Sequence, residues 1–174
     1  MIITGGMYKG RKILSPDERI TRPTLSKVRQ GVFNTLFSMI GNFEEKTFLD
    51  LFGGSGVMGL EAISRGFKDV VVFEKNPKVG QIIKKNYETL NLKPNLMIGD
   101  SLKMLEKFGT NCDVIYVDPP YYSGVYEEVL ELLKNSINQD AIIVVEHVED
   151  IDIKDLILIK QKNYGDKLVS FLSK

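Results

Sequence analysis

The sequence predicts one open α/β domain built on a mostly parallel sheet with helices on both faces. From Thr47 onward, short apolar runs alternate with helix-length segments, the pattern of strand and crossover helix that lays strands side by side in parallel. The tail departs from this alternation with two apolar runs around Asn163-Tyr164-Gly165-Asp166, which reads as a closing β-hairpin that adds one antiparallel strand. At 174 residues, 43% hydrophobic and 26% charged, the chain has the size and balance of a single domain. Such a domain removes roughly 70% of its unfolded surface from water.

The elements follow in order. Ile2-Ile3-Thr4 and Arg11-Lys12-Ile13-Leu14 are parted by a stretch holding Gly5, Gly6 and Gly10, a spacing that predicts a small hairpin. Residues 1–20 are expected to form this basic hairpin extension, and 21–174 the main domain. Arg22-Pro23-Thr24 leads into a helix whose apolar residues Val28, Val32, Phe33, Leu36, Phe37 and Ile40 recur at three-to-four spacing, with Lys27 and Arg29 on its far face. Strands are expected at 47–52, 69–74, 95–98, 112–117 and 141–146, and helices at 56–65, 77–91, 101–107 and 124–135. Leu156-Ile157-Leu158-Ile159 and Leu168-Val169-Ser170-Phe171-Leu172 are the arms of the closing hairpin.

Composition narrows the setting. No apolar run nears the roughly 18 residues that span a bilayer. The start carries no basic leader with a cleavage site, and the lone Cys112 has no cysteine to pair with, so a cytoplasmic protein without a membrane partner is expected. The formal charge is zero, but residues 1–40 hold seven basic groups against two acidic ones, a net +5, which leaves the other 134 residues at −5. Local positive charge captures a polyanion, so this end is a plausible phosphate-contacting surface.

Phe48-Leu49-Asp50-Leu51-Phe52 runs into Gly53-Gly54-Ser55-Gly56, a strand followed by a glycine-rich turn and then a helix. Glycines let backbone approach a ligand closely beyond the carboxyl ends of parallel strands. Glu74 closes the next strand eighteen residues after Gly56, where a carboxylate can accept both hydroxyl hydrogens of a ribose. Asp100-Ser101 ends the third strand, and there the two side chains stand ready for an adenine edge, although Asp100 serves equally well as a helix N-cap. Together these point to an adenosine-containing cofactor.

Asp118-Pro119-Pro120-Tyr121 follows the apolar strand Val114-Ile115-Tyr116-Val117. Two prolines fix the backbone and remove two N–H donors, so the loop offers carbonyl and carboxylate oxygens without competing donors. An aromatic amine is a poor nucleophile because its lone pair is delocalised into the ring. If Asp118 and the Pro119 carbonyl each accept one of its N–H groups, the lone pair can be aimed at a sulfonium methyl. Tyr121 adds a flat face for a flipped base.

With these motifs the chain resembles the RsmD family, bacterial methyltransferases that make N2-methylguanine in 16S ribosomal RNA. The resemblance rests on Ile3-Thr4-Gly5-Gly6, Lys9-Gly10-Arg11-Lys12-Ile13, Arg22-Pro23-Thr24, Asp50-Leu51-Phe52-Gly53-Gly54-Ser55-Gly56, Gly59-Leu60-Glu61-Ala62 and Asp118-Pro119-Pro120-Tyr121. It implies a seven-stranded Rossmann-like class I methyltransferase fold with an N-terminal hairpin, S-adenosylmethionine as cofactor, and a guanine of the small ribosomal subunit or its assembly intermediate as substrate. Carried over, Asp50, Gly53, Gly54 and Gly56 line the cofactor, Glu74 its ribose, and Asp100 and Ser101 its adenine, while Asp118, Pro119, Pro120 and Tyr121 take the guanine. Lys9, Arg11, Lys12 and Arg22 are expected to meet RNA. A monomer that needs no metal is expected. Adenine N6 is the alternative acceptor, because the same loop suits either amine; against a sequence-specific DNA enzyme stands the lack of a separate target-recognition domain.

Overall fold

In the computed structural model, residues 1–16, 24–108, 110–120 and 124–174 are described. The elements are α1 (Ser26–Ile40), β1 (Thr47–Asp50), α2 (Val57–Ser64), β2 (Asp69–Glu74), α3 (Pro77–Glu88), β3 (Asn95–Ile98), α4 (Ser101–Phe108), β4 (Val114–Val117), α5 (Tyr126–Ser136), β5 (Ile142–His147), β6 (Ile157–Asn163) and β7 (Leu168–Ser173). The seven strands form one sheet in the order β3-β2-β1-β4-β5-β7-β6. β1 to β5 pair in parallel, and β7 inserts antiparallel between β5 and β6. This is the mostly parallel sheet with a closing hairpin that the alternation predicts.

Strand periodicity sorts the core into two layers. Phe48, Val72, Tyr116, Val144 and Phe171 point to the face covered by α1, α2 and α3. Leu49, Phe73, Ile115, Val145 and Leu172 point to the face under α4 and α5. All four residues of β4 are buried, as a central strand covered on both sides requires. On the first face Phe43 and Phe67 stack with ring centroids 4.3 Å apart, and Phe33 lies 5.7 Å from Phe48. Each such ring contributes about 1.5–3 kcal/mol by leaving water.

Element ends have local causes. Asn76 caps α3 by accepting from the Lys78 amide at 2.9 Å, with Pro77 filling the first helical position. That helix stops at Glu88, short of the expected 91, where Asn91 turns into the left-handed region at φ 56°. β4 begins at Val114, after Asp113, whose amide donates to the Thr47 hydroxyl at 2.9 Å and whose carboxylate accepts from the Thr47 amide and hydroxyl, both at 2.8 Å, which pins the entry of β1. No helix among the described residues is long and apolar enough to cross a membrane.

The N-terminal stretch carries a single antiparallel bridge, Ile2 to Lys12, in place of a ladder of two strands. Ile3 donates to Arg11 and accepts from Gly10 at 3.0 and 2.8 Å, and Ile13 donates to Met1 at 3.0 Å. Beyond that bridge the backbone turns away, with Gly6 and Gly10 at φ 75° and 84°. Ile3 and Ile13 are buried in the layer under α1 to α3.

Arg29 corrects the expectation of an outward-facing cation. It is 1% exposed and lies in the buried stripe with Val28, Val32, Phe33 and Leu36. Its guanidinium donates to Glu61 Oε1 at 3.1 Å, Ile2 O at 2.7 Å, Ser26 Oγ at 3.2 Å and the Thr24 carbonyl. Glu61, fully buried on α2, also accepts from the Thr4 amide and hydroxyl at 2.8 Å and pairs with Arg65. A five-donor fork suits this junction of three chain segments. The positive charge that remains on the surface of the N-terminal turn is Lys9, Arg11 and Lys12, all exposed.

Candidate active site at the carboxyl edge of the sheet

Parallel pairing brings the carboxyl ends of β1 to β5 to one edge, where Asp50, Gly53, Gly54, Gly56, Glu74, Asp100, Ser101, Asp118 and Pro119 collect, while Lys9, Arg11 and Lys12 lie on the N-terminal turn beside the ends of α2 and α3. After Asp50 the backbone turns sharply. The Gly53 amide donates to Phe73 O on β2, and the Gly56 amide donates to Gly53 O, both at 2.7 Å. Gly54 and Gly56 take φ 54° and 75°, which a side chain would strain, and Gly56 caps α2. A Cβ on Gly53 would stand 2.4 Å from Val72 Cγ1. One on Gly59 would stand 2.4 Å from the Tyr87 hydroxyl and 2.9 Å from Val72 Cγ2, so this glycine seats α2 close against β2.

Glu74 braces the turn. Its Oε2 accepts from the Gly54 amide at 2.9 Å and its Oε1 from Asn76 at 2.7 Å. Each oxygen keeps a second lone pair for a hydroxyl donor. Burial raises the Glu74 pKa and the three backbone amides of Asn76, Gly54 and Lys75 pull against it. Asp50, 1% exposed beneath the turn, is pushed up to about 7, mainly by burial, with the Phe52 amide opposing and Glu74 adding to the rise.

Asp100 and Ser101 sit at the head of α4. Asp100 Oδ1 accepts from Leu102 and Lys103 at 3.1 and 3.4 Å, the N-cap use, while Oδ2 meets Lys75 Nζ at 3.0 Å. The Lys75 hydrogen bond leads the causes that hold its carboxyl below the usual range. The Ser101 hydroxyl donates to Leu51 O and ties the end of β1 to α4.

One strand over, β4 delivers the acceptor loop. Asp118 is half-buried, Pro119 buried and Pro120 exposed. The Thr24 hydroxyl donates to Asp118 Oδ2 at 3.5 Å. Burial, then the Glu146 carboxylate, pushes the Asp118 carboxyl well above its ordinary range; Lys167 and Thr24 work the other way, and Asp50 adds to the rise. Tyr121 and Arg22 lie outside the described residues. Arg11 Nη2 donates to Thr89 O at 3.2 Å at the end of α3.

The sequence pointed to no site role for Thr24, Tyr116, Glu146 or Lys167. A carboxylate closing the apolar run Ile142-Ile143-Val144-Val145 was a readable signal for Glu146. Lys167 carried none, because its partner lies 21 residues away.

The whole arrangement has relatives. Residues 1–173 match the family described as "Conserved hypothetical protein 95". The chain is 35% identical over 147 residues to ribosomal RNA small subunit methyltransferase D of Escherichia coli strain K12, covering 83% of this chain and 73% of that one. It is 32% identical over 173 residues to the protein of the same name from Haemophilus influenzae, covering 94% and 88%. Among solved structures, yhhF from Escherichia coli superposes at a TM-score of 0.85 with 30% identity, over 100% of this chain and 97% of that one. The chain therefore belongs to the RsmD family.

Proposed function

We propose that this protein transfers the methyl group of S-adenosylmethionine to the exocyclic N2 of a guanine in 16S ribosomal RNA, releasing S-adenosylhomocysteine. The observation that carries the reading is the placement of a glycine turn braced by Glu74 next to the donor-free loop Asp118-Pro119-Pro120, on neighbouring parallel strands. Small-subunit ribosomal RNA as the acceptor is supported by the names of the Escherichia coli and Haemophilus influenzae relatives.

The residues fit the cofactor. Gly54 leaves open backbone for a ligand, with only Phe52 O among the described residues within 4 Å of where a Cβ would stand, and Glu74 retains lone pairs for two ribose hydroxyls while its other pairs hold Gly54 and Asn76. Asp50 places a carboxyl under the turn, and Asp100 and Ser101 flank the adenine side. When bound, S-adenosylmethionine supplies an electrophilic methyl group on a sulfonium sulfur.

What remains for the protein is to aim a weak nucleophile. The ionised Asp118 carboxylate and the Pro119 carbonyl accept the two amine hydrogens, which draws the nitrogen toward tetrahedral geometry. The nitrogen lone pair then forms the new N–C bond as the S–C bond breaks. Positive charge grows on nitrogen beside Asp118, so the interaction strengthens in the transition state. The spare proton then passes along its hydrogen bond to the Asp118 carboxylate and from there to solvent. Tyr121 stacks on the flipped base, and Lys9, Arg11, Lys12 and Arg22 contact phosphates of the RNA. The protein acts as a cytoplasmic monomer on the small subunit or its precursor.

Mass-spectrometric mapping of methylated nucleosides in ribosomal RNA from cells with and without the protein tests this. The expected outcome is loss of one N2-methylguanine from 16S RNA. Loss of N6-methyladenine in its place would transfer the reading to the adenine amine.

A further inference from the structure

A second carboxylate lies beside the acceptor loop. β4 and β5 pair with Tyr116 opposite Val144 and Val117 opposite Val145, so the next step of the register sets Asp118 beside Glu146. Alternation along each strand puts Tyr116, Asp118, Val144 and Glu146 on one face. Glu146 is 0% exposed and both its oxygens are engaged: Tyr116 Oη donates to Oε2 at 2.6 Å, and Lys167 Nζ donates to Oε1. Lys167 reaches in from the turn between β6 and β7, where its carbonyl accepts from the Tyr164 amide at 2.8 Å, and is itself buried. On the other side Tyr126 of α5 donates to the Glu146 carbonyl at 3.0 Å.

A buried ion pair is a poor device for stability, because the cost of taking two charges from water cancels most of their attraction. Its place against a working carboxylate gives it another use. Resting on the amine-accepting role proposed for Asp118, we infer that Glu146 and Lys167 are positioning residues that set the charge of the Asp118 carboxylate.

Among the described residues, the groups facing Asp118 are Asp50 from β1, Tyr116 from its own strand, Glu146 from β5, Lys167 from the β6–β7 turn and Thr24 from the entry to α1. Burial is the main cause disfavouring charge on Asp118, and the carboxylates of Glu146 and Asp50 add to it. Among the described residues, the Lys167 ammonium is the opposing charge. Glu146 holds that ammonium in place, and the Tyr116 hydroxyl fixes the Glu146 carboxylate in turn. Only the ionised form of Asp118 accepts an amine hydrogen without offering a competing proton, so methyl transfer rises with pH through the ionisation of Asp118.

The test is single-turnover methyl transfer to 16S RNA at saturating S-adenosylmethionine, from about pH 5.5 to about pH 9.5, with melting temperature and calorimetric cofactor affinity measured on each variant. Glu146→Gln deletes a negative neighbour with no change of volume and should move the acid limb down by roughly one pH unit or more. Lys167→Met should move it up by a similar amount, with Lys167→Arg returning it toward the wild-type position. Opposite displacements with unchanged cofactor affinity are the expected result. A loss of rate at all pH values with the limb unmoved would make the network structural and overturn the inference. If Lys167→Met does not fold, Glu146→Gln decides alone. Wild-type transfer by Asp118→Asn would instead remove the amine-accepting role beneath the inference, which separates the two failures.

Discussion

Replacing Asp50 by Asn should make the protein more stable at neutral and alkaline pH and worse at holding its cofactor. Asp50 is 1% exposed, and burial lifts its carboxyl from an ordinary 3.8 to about 7. Three pKa units correspond to about 4 kcal/mol at 1.36 kcal/mol each. The sign follows from the protons bound: between about pH 4 and pH 7 the native state keeps a proton that the unfolded chain has lost, so stability falls as pH rises and then levels off above pH 7. The charge penalty is therefore fully present at pH 8 and absent at pH 4. Asn retains an oxygen for the Phe52 amide, which donates to Asp50 Oδ1 at 3.4 Å, but adds an amide N–H2 whose missing partner costs about 1–2 kcal/mol. The net gain at pH 8 is about 2–3 kcal/mol. At about pH 4.5 the gain vanishes or reverses. Urea unfolding of both proteins without cofactor, across that range, measures the difference. The same offset at both ends of the range would refute the assignment of a buried, high-pKa carboxyl at this position.

Glu74→Ala should weaken S-adenosylmethionine binding by roughly 2–4 kcal/mol, while Asp118→Ala binds it nearly normally and transfers at least about a hundredfold more slowly. Calorimetry and single-turnover rates on the pair check this, and equal binding losses would show the two sites to be misassigned. Joint replacement of Lys9, Arg11 and Lys12 by Ala should lower RNA affinity and flatten the salt dependence, by roughly 0.7–0.9 in slope for each phosphate no longer neutralised, with cofactor affinity unchanged. A salt series of filter-binding measurements decides it. Arg29→Met should cost about 3 kcal/mol in denaturant unfolding, because Glu61 loses one of its two cationic partners in a fully buried position.

What the sequence made legible is what depends on neighbours along the chain. Strand and helix alternation, the glycine turn and the run from Val114 to Pro120 are local patterns, and the sheet they imply is the sheet observed. Element ends were less legible because side chains from elsewhere set them, as Asp113 does at the start of β1. Arg29 was misplaced for a similar reason. Its position, three before Val32 and four before Phe33, belongs to the buried stripe, but a charge there makes sense only once Glu61 is known to face it. The pair of Glu146 and Lys167 is legible only from the antiparallel insertion of β7 beside β5, which decides what the β6–β7 turn reaches.

The distribution of buried charge along the sheet edge then acquires a direction. Asp50, Glu74, Asp118 and Glu146 lie at or next to the carboxyl ends of four adjacent parallel strands, a concentration of acid that works against the folded state. Backbone amides of Gly54 and Asn76 relieve Glu74, and Lys167 with Tyr116 relieves Glu146, so these two are braced by the fold itself. Among the described residues, Asp50 accepts a long bond from the Phe52 amide and Asp118 a long bond from the Thr24 hydroxyl. The proposed function sets Asp50 beneath the cofactor turn and gives Asp118 to an amine that gains positive charge as it is methylated. Under the proposed function, Glu74 and Glu146 are held by the fold, while Asp50 and Asp118 meet partners that arrive with the reaction.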